Sequence, residues 1–149
     1  MSITGDWYNE FGSHMRITAD PTGSIRGTYV SGAGHAVGAY PLVGRYETAA
    51  CAGHGTPLGW TVAWRNGTTD ACSVTSWNGQ YYADGEERLC VTWLLTASAT
   101  EANTWEATAV GQDVFTREPP TREEVERRLR HTGATSHPRP VGLDEVTPV

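Results

Sequence analysis

The chain has 149 residues, 38% of them hydrophobic, and a formal net charge of −6. That length supports one domain with a substantial core and is short for two. The acidic balance, with no basic run before the C-terminal stretch and no arginine interleaved with the tryptophans, argues against a nucleic-acid backbone as partner. No apolar stretch approaches the roughly 20 residues that a membrane-spanning helix needs.

From residue 3 to about 117 the sequence reads as short alternating segments separated by turn signals, without helical periodicity. Eight strand-sized segments follow one another, at roughly 5–11, 14–20, 25–31, 40–48, 57–65, 72–82, 87–97 and 104–115. Asp20-Pro21-Thr22-Gly23, Asn66-Gly67 and Asp84-Gly85 are turn sequences that favour hairpins between sequence neighbours. The expected fold is therefore all-β, an eight-stranded antiparallel up-and-down barrel, a size whose interior holds one small ligand. The expected organisation is a β domain over residues 1–117 and a C-terminal tail over 118–149. In the tail, Pro119-Pro120 precedes Thr121-Arg-Glu-Glu124, a capping-box pattern that opens a short helix within 121–131. Beyond it, a stretch rich in Pro, Gly and Thr holds little to bury, and its expected state in isolation is disorder.

Residues of equal parity share one face of a strand, so Trp60, Val62 and Trp64 point one way, as do Ser73, Thr75 and Trp77, and again Trp93 and Leu95. Folding the hairpin about Gly85 sets Trp77 opposite Trp93. Hydroxyls on the same face as indoles describe a lined pocket better than an ordinary core. A buried polar group without a partner costs about 1–3 kcal/mol, and a polar ligand would supply the partners.

Other chemistry finds little support. The five histidines are scattered, and neither a nucleophile elbow, a zinc-protease helix motif nor a dinucleotide-binding glycine pattern occurs, which argues against an enzyme. Cys51, Cys72 and Cys90 follow no metal-ligand spacing, and unpaired, partly buried thiols are the expectation. Gly5-Asp6-Trp7 fits the start of a lipocalin, which shares this barrel architecture but takes greasier ligands. Carbohydrate-binding modules also display tryptophans, though on an outer face.

Six segments stand out together: Gly5-Asp-Trp-Tyr-Asn9, Gly27-Thr-Tyr29, Leu58-Gly-Trp-Thr-Val-Ala-Trp64, Trp93-Leu-Leu-Thr96, Glu101-Ala-Asn-Thr-Trp105 and Gly111-Gln-Asp-Val-Phe-Thr116. Through them the chain resembles the avidin family, its streptavidin-like bacterial members in particular. The resemblance implies non-covalent binding of biotin without catalysis, cofactor or metal, by a homo-oligomer, in most members a tetramer. It also implies an extracellular location, with any leader segment lying outside this sequence.

Residue by residue, the resemblance makes Asn9, Ser13 and Tyr29 the donors around the ureido oxygen and Asp113 the acceptor of a ureido N–H. Thr75 meets the thioether sulfur and Ser73 the valeryl carboxylate. Trp64, Trp77 and Trp93 form aromatic walls and Leu95 an apolar one, with Ala71 beside them. Trp105 is the indole lent to a neighbouring subunit's site. Ser31, Ala33, Gly34 and His35 belong to a loop that resembles the lid over the ligand. Phe11, Ala33 and His35 depart from the pattern, standing where Leu, Val and Asn are expected, and weaker binding or faster release is the corresponding expectation. Some bacterial relatives also suggest that the last residues of the tail enter a biotin site of a neighbouring subunit.

Overall fold

Period-two alternation carries through into eight strands: β1 Gly5–Asn9, β2 His14–Ala19, β3 Ser24–Val30, β4 Ala39–Tyr46, β5 Thr56–Ala63, β6 Ser73–Tyr82, β7 Arg88–Ala97 and β8 Thr108–Thr116. The computed structural model describes residues 2–32, 37–131 and 135–138. Each strand pairs antiparallel with the next, and β8 returns to β1, so the sheet closes into a barrel. This is the up-and-down architecture expected from the turn spacing.

The register explains the aromatic interior. Trp60 on β5 lies opposite Trp77 on β6, and Trp77 lies opposite Trp93 on β7, so three indoles stand abreast on the inner face. Trp60 and Trp77 stack with centroids 5.7 Å apart, and Tyr29 stacks on Trp77 at 4.9 Å. Gly111 pairs with Trp93, and a β-carbon there would stand 2.3 Å from the Trp93 ring, so the absence of a side chain is what lets the indole lie across β8. The far part of the interior is filled by Trp7, Met15, Ile17, Ile25, Leu89 and Phe115, all buried.

The β1–β8 seam has only two register pairs, Tyr8 with Thr116 and Asn9 with Phe115. Arg117 reinforces it. Its guanidinium lies 3.7 Å from the Trp7 ring centre and donates to the carbonyls of Ser2, Thr4 and Asp6. Such a cation over a desolvated ring contributes on the order of 1–2 kcal/mol.

Several boundaries differ from the sequence reading. The first segment stops at Asn9 rather than 11, because the Asn9 side-chain oxygen accepts the N–H groups of Phe11 and Ser13 and competes with strand pairing. The last segment begins at Thr108 rather than 104, since Glu101–Glu106 winds into a 3-10 turn. Cys51 and Cys72 are exposed rather than partly buried, and only Cys90 is half-buried; all three are free thiols.

Beyond the barrel, α1 spans Arg122–Leu129, with Thr121 and Glu124 completing a reciprocal capping box. The helix leans on the β1–β2 turn: Arg128 donates to the Glu10 carbonyl at 2.9 Å, and Val125 sits against Gly12. This placement leads the chain back over the turn that carries Asn9 and Ser13. The stretch expected to hold little to bury nonetheless has Ser136, His137 and Pro138 buried; the reason lies inside the barrel.

Candidate functional site

The β1–β2 turn presents two of the expected polar residues. Asn9 holds Ser13 twice: its backbone N–H donates to the Ser13 carbonyl at 3.0 Å, and its side-chain oxygen accepts the Ser13 N–H at 2.9 Å. With that oxygen engaged in the turn, the amide nitrogen of Asn9 points inward, buried and without a partner among the described residues. Ser13 is fully buried, and its hydroxyl oxygen accepts the Gly32 N–H at 3.0 Å.

Opposite them, Asp113 projects from β8. Trp77 donates its indole N–H to Asp113 Oδ2 at 3.0 Å, while Oδ1 has no partner among the described residues. Burial pushes the Asp113 carboxyl above the usual carboxylate range, opposed by the hydrogen bonds from Trp77 and Ser136. Glu10, in the turn just after β1, is raised to about 7, first by burial and then by the negative charge of Asp113. Its side chain accepts the Val114 N–H at 3.0 Å. Burial, with a further push from Asp113, raises the Tyr29 hydroxyl far above its ordinary value, so it stands in the cavity as a protonated donor. That hydroxyl is likewise unpartnered among the described residues.

On β5 and β6, Trp64 donates its indole N–H to the Thr75 hydroxyl at 2.8 Å, which fixes both side chains. Asn9, Ser13, Tyr29, Thr75 and Asp113 thus converge on one interior space, walled by Trp64, Trp77 and Trp93. Ser73 lines the same face of β6 with its hydroxyl buried and unpartnered among the described residues. Leu95, half-buried, and Ala71 pack against the core near it, and Phe11 is buried in the β1–β2 turn. Ser31 sits at the end of β3, half-buried. Ala33, Gly34 and His35, the expected lid residues, lie outside the described residues. Trp105 does not join the others: it stands on the 3-10 turn at 95% exposure.

A segment of the chain's own tail is seated in this space. Ser136 Oγ donates to Asp113 Oδ2 at 2.9 Å, the Ser136 carbonyl accepts the Thr75 hydroxyl at 2.7 Å, and His137 Nε2 shares a hydrogen bond with Ser13 Oγ at 3.0 Å. The imidazole lies among rings, 6.0 Å from Trp64 and 6.1 Å from Tyr29 by centroid. Burial holds its pKa down at about 4. The tail segment is therefore residues 136–138 in the chain's own barrel, whereas the sequence pointed to the last residues and to a neighbouring subunit. Residues 139–149 lie outside the described residues.

Sequence reasoning missed Glu10, Ser136, His137 and Pro138. Glu10 has the wrong parity for an inward strand residue and reaches the site only because the turn begins at Asn9. A Ser-His-Pro triplet in a polar tail carries no periodicity, and its one signal is a histidine in a stretch otherwise devoid of ring-bearing groups except proline. The cluster of convergent donors and a carboxylate is unlike the apolar interior that a lipocalin-type ligand needs, and that alternative is not favoured.

The avidin family model matches residues 1–118. Avidin from Gallus gallus is 36% identical over 123 residues, covering 78% of this chain and 78% of its own length. Afifavidin from Afifella pfennigii is 34% identical over 119 residues, covering 77% of this chain and 69% of its own length. Fibropellin-1 from Strongylocentrotus purpuratus is 37% identical over 119 residues, 77% of this chain but 11% of that protein.

Proposed function

The chain belongs to the avidin family, and from that premise we propose that it binds biotin reversibly in the barrel interior, without chemical conversion. The observation that carries this reading is the set of buried polar atoms that protein groups leave unpartnered among the described residues: Asn9 Nδ2, Tyr29 Oη, Asp113 Oδ1 and Ser73 Oγ. A ureido head offers one strong acceptor oxygen and two N–H donors. In this reading Ser13, Tyr29 and the Asn9 amide donate to the oxygen, and Asp113 accepts an N–H. Donors at one end and a carboxylate at the other polarise the ureido group in the same sense, so the bonds strengthen one another. Each bond to an ionised partner is worth about 1.5–3 kcal/mol. Thr75 and Ser73 would meet the sulfur and the carboxylate, between walls formed by Trp64, Trp77 and Trp93 with Leu95 and Ala71. Phe11 and Ser31, with the loop residues Ala33, Gly34 and His35, would complete the mouth.

In the same reading the protein is an exported homo-oligomer. Trp105 at 95% exposure, Val110 at 64% and Leu94 at 50% are unusually bare for large apolar side chains, which fits surfaces covered by further copies of the chain, with Trp105 reaching a neighbour's site.

Calorimetric titration with biotin tests the proposal, with displacement of desthiobiotin where binding is too tight to fit directly. The expected result is one biotin per chain with a strongly favourable enthalpy. Absence of heat with both the intact chain and a Ser136→Ala/His137→Ala variant would refute it.

A further inference from the structure

Asp113, the carboxyl that faces the cavity, has a second carboxyl beside it. β1 ends at Asn9, opposite Phe115, and from there a side chain continues the seam: Glu10 Oε2 accepts the Val114 N–H at 3.0 Å, one residue along β8 from Asp113. The Glu10 backbone is held from outside, because Arg128 of α1 donates to its carbonyl at 2.9 Å. Glu10 is half-buried beside a groove between β8 and α1, while Asp113 is 1% exposed and keeps Oδ1 without a partner among the described residues.

Two neighbouring carboxyls at a buried site cannot both ionise cheaply, since lost water and like charge each favour keeping one proton on the pair. Burial raises both above their ordinary values, and a hydrogen bond between them acts with opposite signs, raising Glu10 and lowering Asp113. A proton carried by Glu10 and donated to Asp113 has that effect. The surroundings offer no substitute for it. Among the described residues neither carboxyl has an ion-pair partner. From β3, Tyr29 faces the pair as a neutral phenol, and from the tail His137 stands as a neutral imidazole. Arg128 is engaged with the Glu10 backbone, and Glu86, Glu118 and Glu124, which line the same groove, bring no positive charge.

We propose that Glu10 is a positioning residue of the binding site, holding one proton against Asp113 so that the cavity presents a single, oriented carboxylate to the N–H groups of a ligand. A carboxylate accepts about four hydrogen bonds, so a bond from Glu10 leaves Asp113 able to accept from Trp77 and from a ligand as well. The ligand clause rests on the biotin reading; the shared proton does not. A ligand that fills the cavity removes water from the pair and raises the cost of a second negative charge. Glu10 is already raised to about 7 in the unliganded chain, and the ligand moves it higher. Affinity is therefore complete below about 7 and falls as pH rises from there through the liganded value, with a proton taken up on binding in between.

Carboxyl-carbon NMR titration of the full chain without biotin reads the shared proton. Glu10 should titrate near 7, and Asp113→Asn should lower its midpoint by about one pH unit, the coupling expected of two sites that share a proton. A Glu10 midpoint in the ordinary carboxylate range, or one unmoved by Asp113→Asn, would overturn the shared proton. Biotin calorimetry from about pH 6.5 to about pH 8.5, a window in which His137 stays neutral, reads the ligand clause, with desthiobiotin displacement where binding is too tight. The intact chain should lose affinity on the order of tenfold across the window and take up a fraction of a proton, counted from two buffers of different ionisation enthalpy. Glu10→Gln keeps an acceptor for Val114 and a donor for Asp113 without a titrating proton, so its affinity should be flat with pH and its proton uptake nil. Glu10→Ala should bind roughly tenfold more weakly than Glu10→Gln at every pH. Equal pH slopes in the intact chain and Glu10→Gln, or equal affinities of the two variants, would overturn the positioning role. Should biotin bind none of these proteins, the biotin reading and the ligand clause fail together, while the NMR titration still decides the shared proton.

Discussion

Trp7 and Trp93 are both buried on the inner face of the same barrel, yet their polar atoms fare differently. Trp7 donates its indole N–H to the Ile3 carbonyl at 2.8 Å, carries the Arg117 guanidinium on its face and meets Tyr81 edge-on at 6.0 Å. Trp93 leaves its N–H unpartnered among the described residues, as Tyr29, Asn9 and Asp113 each leave a polar atom. The first region is complete within the protein. The second carries polar demand that side chains of the barrel do not meet, which is a cost in stability and a resource for binding.

Breaking the complete region should produce the largest effect. Trp7→Ala removes a buried indole together with the seat of Arg117, and a loss of about 3–5 kcal/mol in chemical denaturation is expected. In the polar region the signs should split. Asp113→Asn removes a carboxylate that burial holds above its normal pKa, so thermal stability should hold or rise slightly, while biotin affinity should fall by roughly tenfold to a hundredfold in calorimetry. A matching loss of stability would mean that the two regions are not separable. Gly111→Ala forces the Trp93 ring off β8, with a smaller stability cost of about 1–3 kcal/mol and a weaker aromatic wall, seen as faster biotin release.

The smallest effect expected is a pH dependence that sets the tail against the cavity. His137 is lowered to about 4, so the stability of its neutral seating is complete above its ordinary value near 6.5 and is lost as pH falls from there through 4. Glu10, raised to about 7, contributes in the opposite sense: its stabilisation is present below its ordinary value near 4.5 and is lost as pH rises through 7. Asp113, also raised, acts in the same direction as Glu10, and Tyr29 stays protonated throughout. Between pH 6.5 and 4.5 the biotin association rate of the intact chain should therefore rise as the tail loosens, and His137→Ala should flatten that profile. A profile unchanged by the substitution would assign the dependence to Glu10 and Asp113 alone.

The strand alternation and turn dipeptides were enough to read an eight-stranded barrel, because a period of two and a Gly-bearing turn are local properties. They also put Trp77 opposite Trp93, since a hairpin's register follows from its turn. Ser13, Thr75 and Asp113 could be named from the sequence through family resemblance, but their meeting depends on barrel closure. Ser13 and Asp113 lie one hundred residues apart, and no local pattern measures that distance. Trp105 shows the reverse limit: its sequence context is as specific as that of any tryptophan here, yet within one chain it meets solvent, so the role proposed for it needs further copies of the chain.

By itself, then, the sequence determined the strands, their faces and the family, all of which rest on short-range stereochemistry and on motif identity. Only the tertiary structure decided that Glu10 sits beside Asp113 and that Ser136-His137-Pro138 fills the cavity. Both depend on where a turn and a helix deliver the chain in space, and a triplet without periodicity is buried only when a cavity of matching polarity lies within its reach.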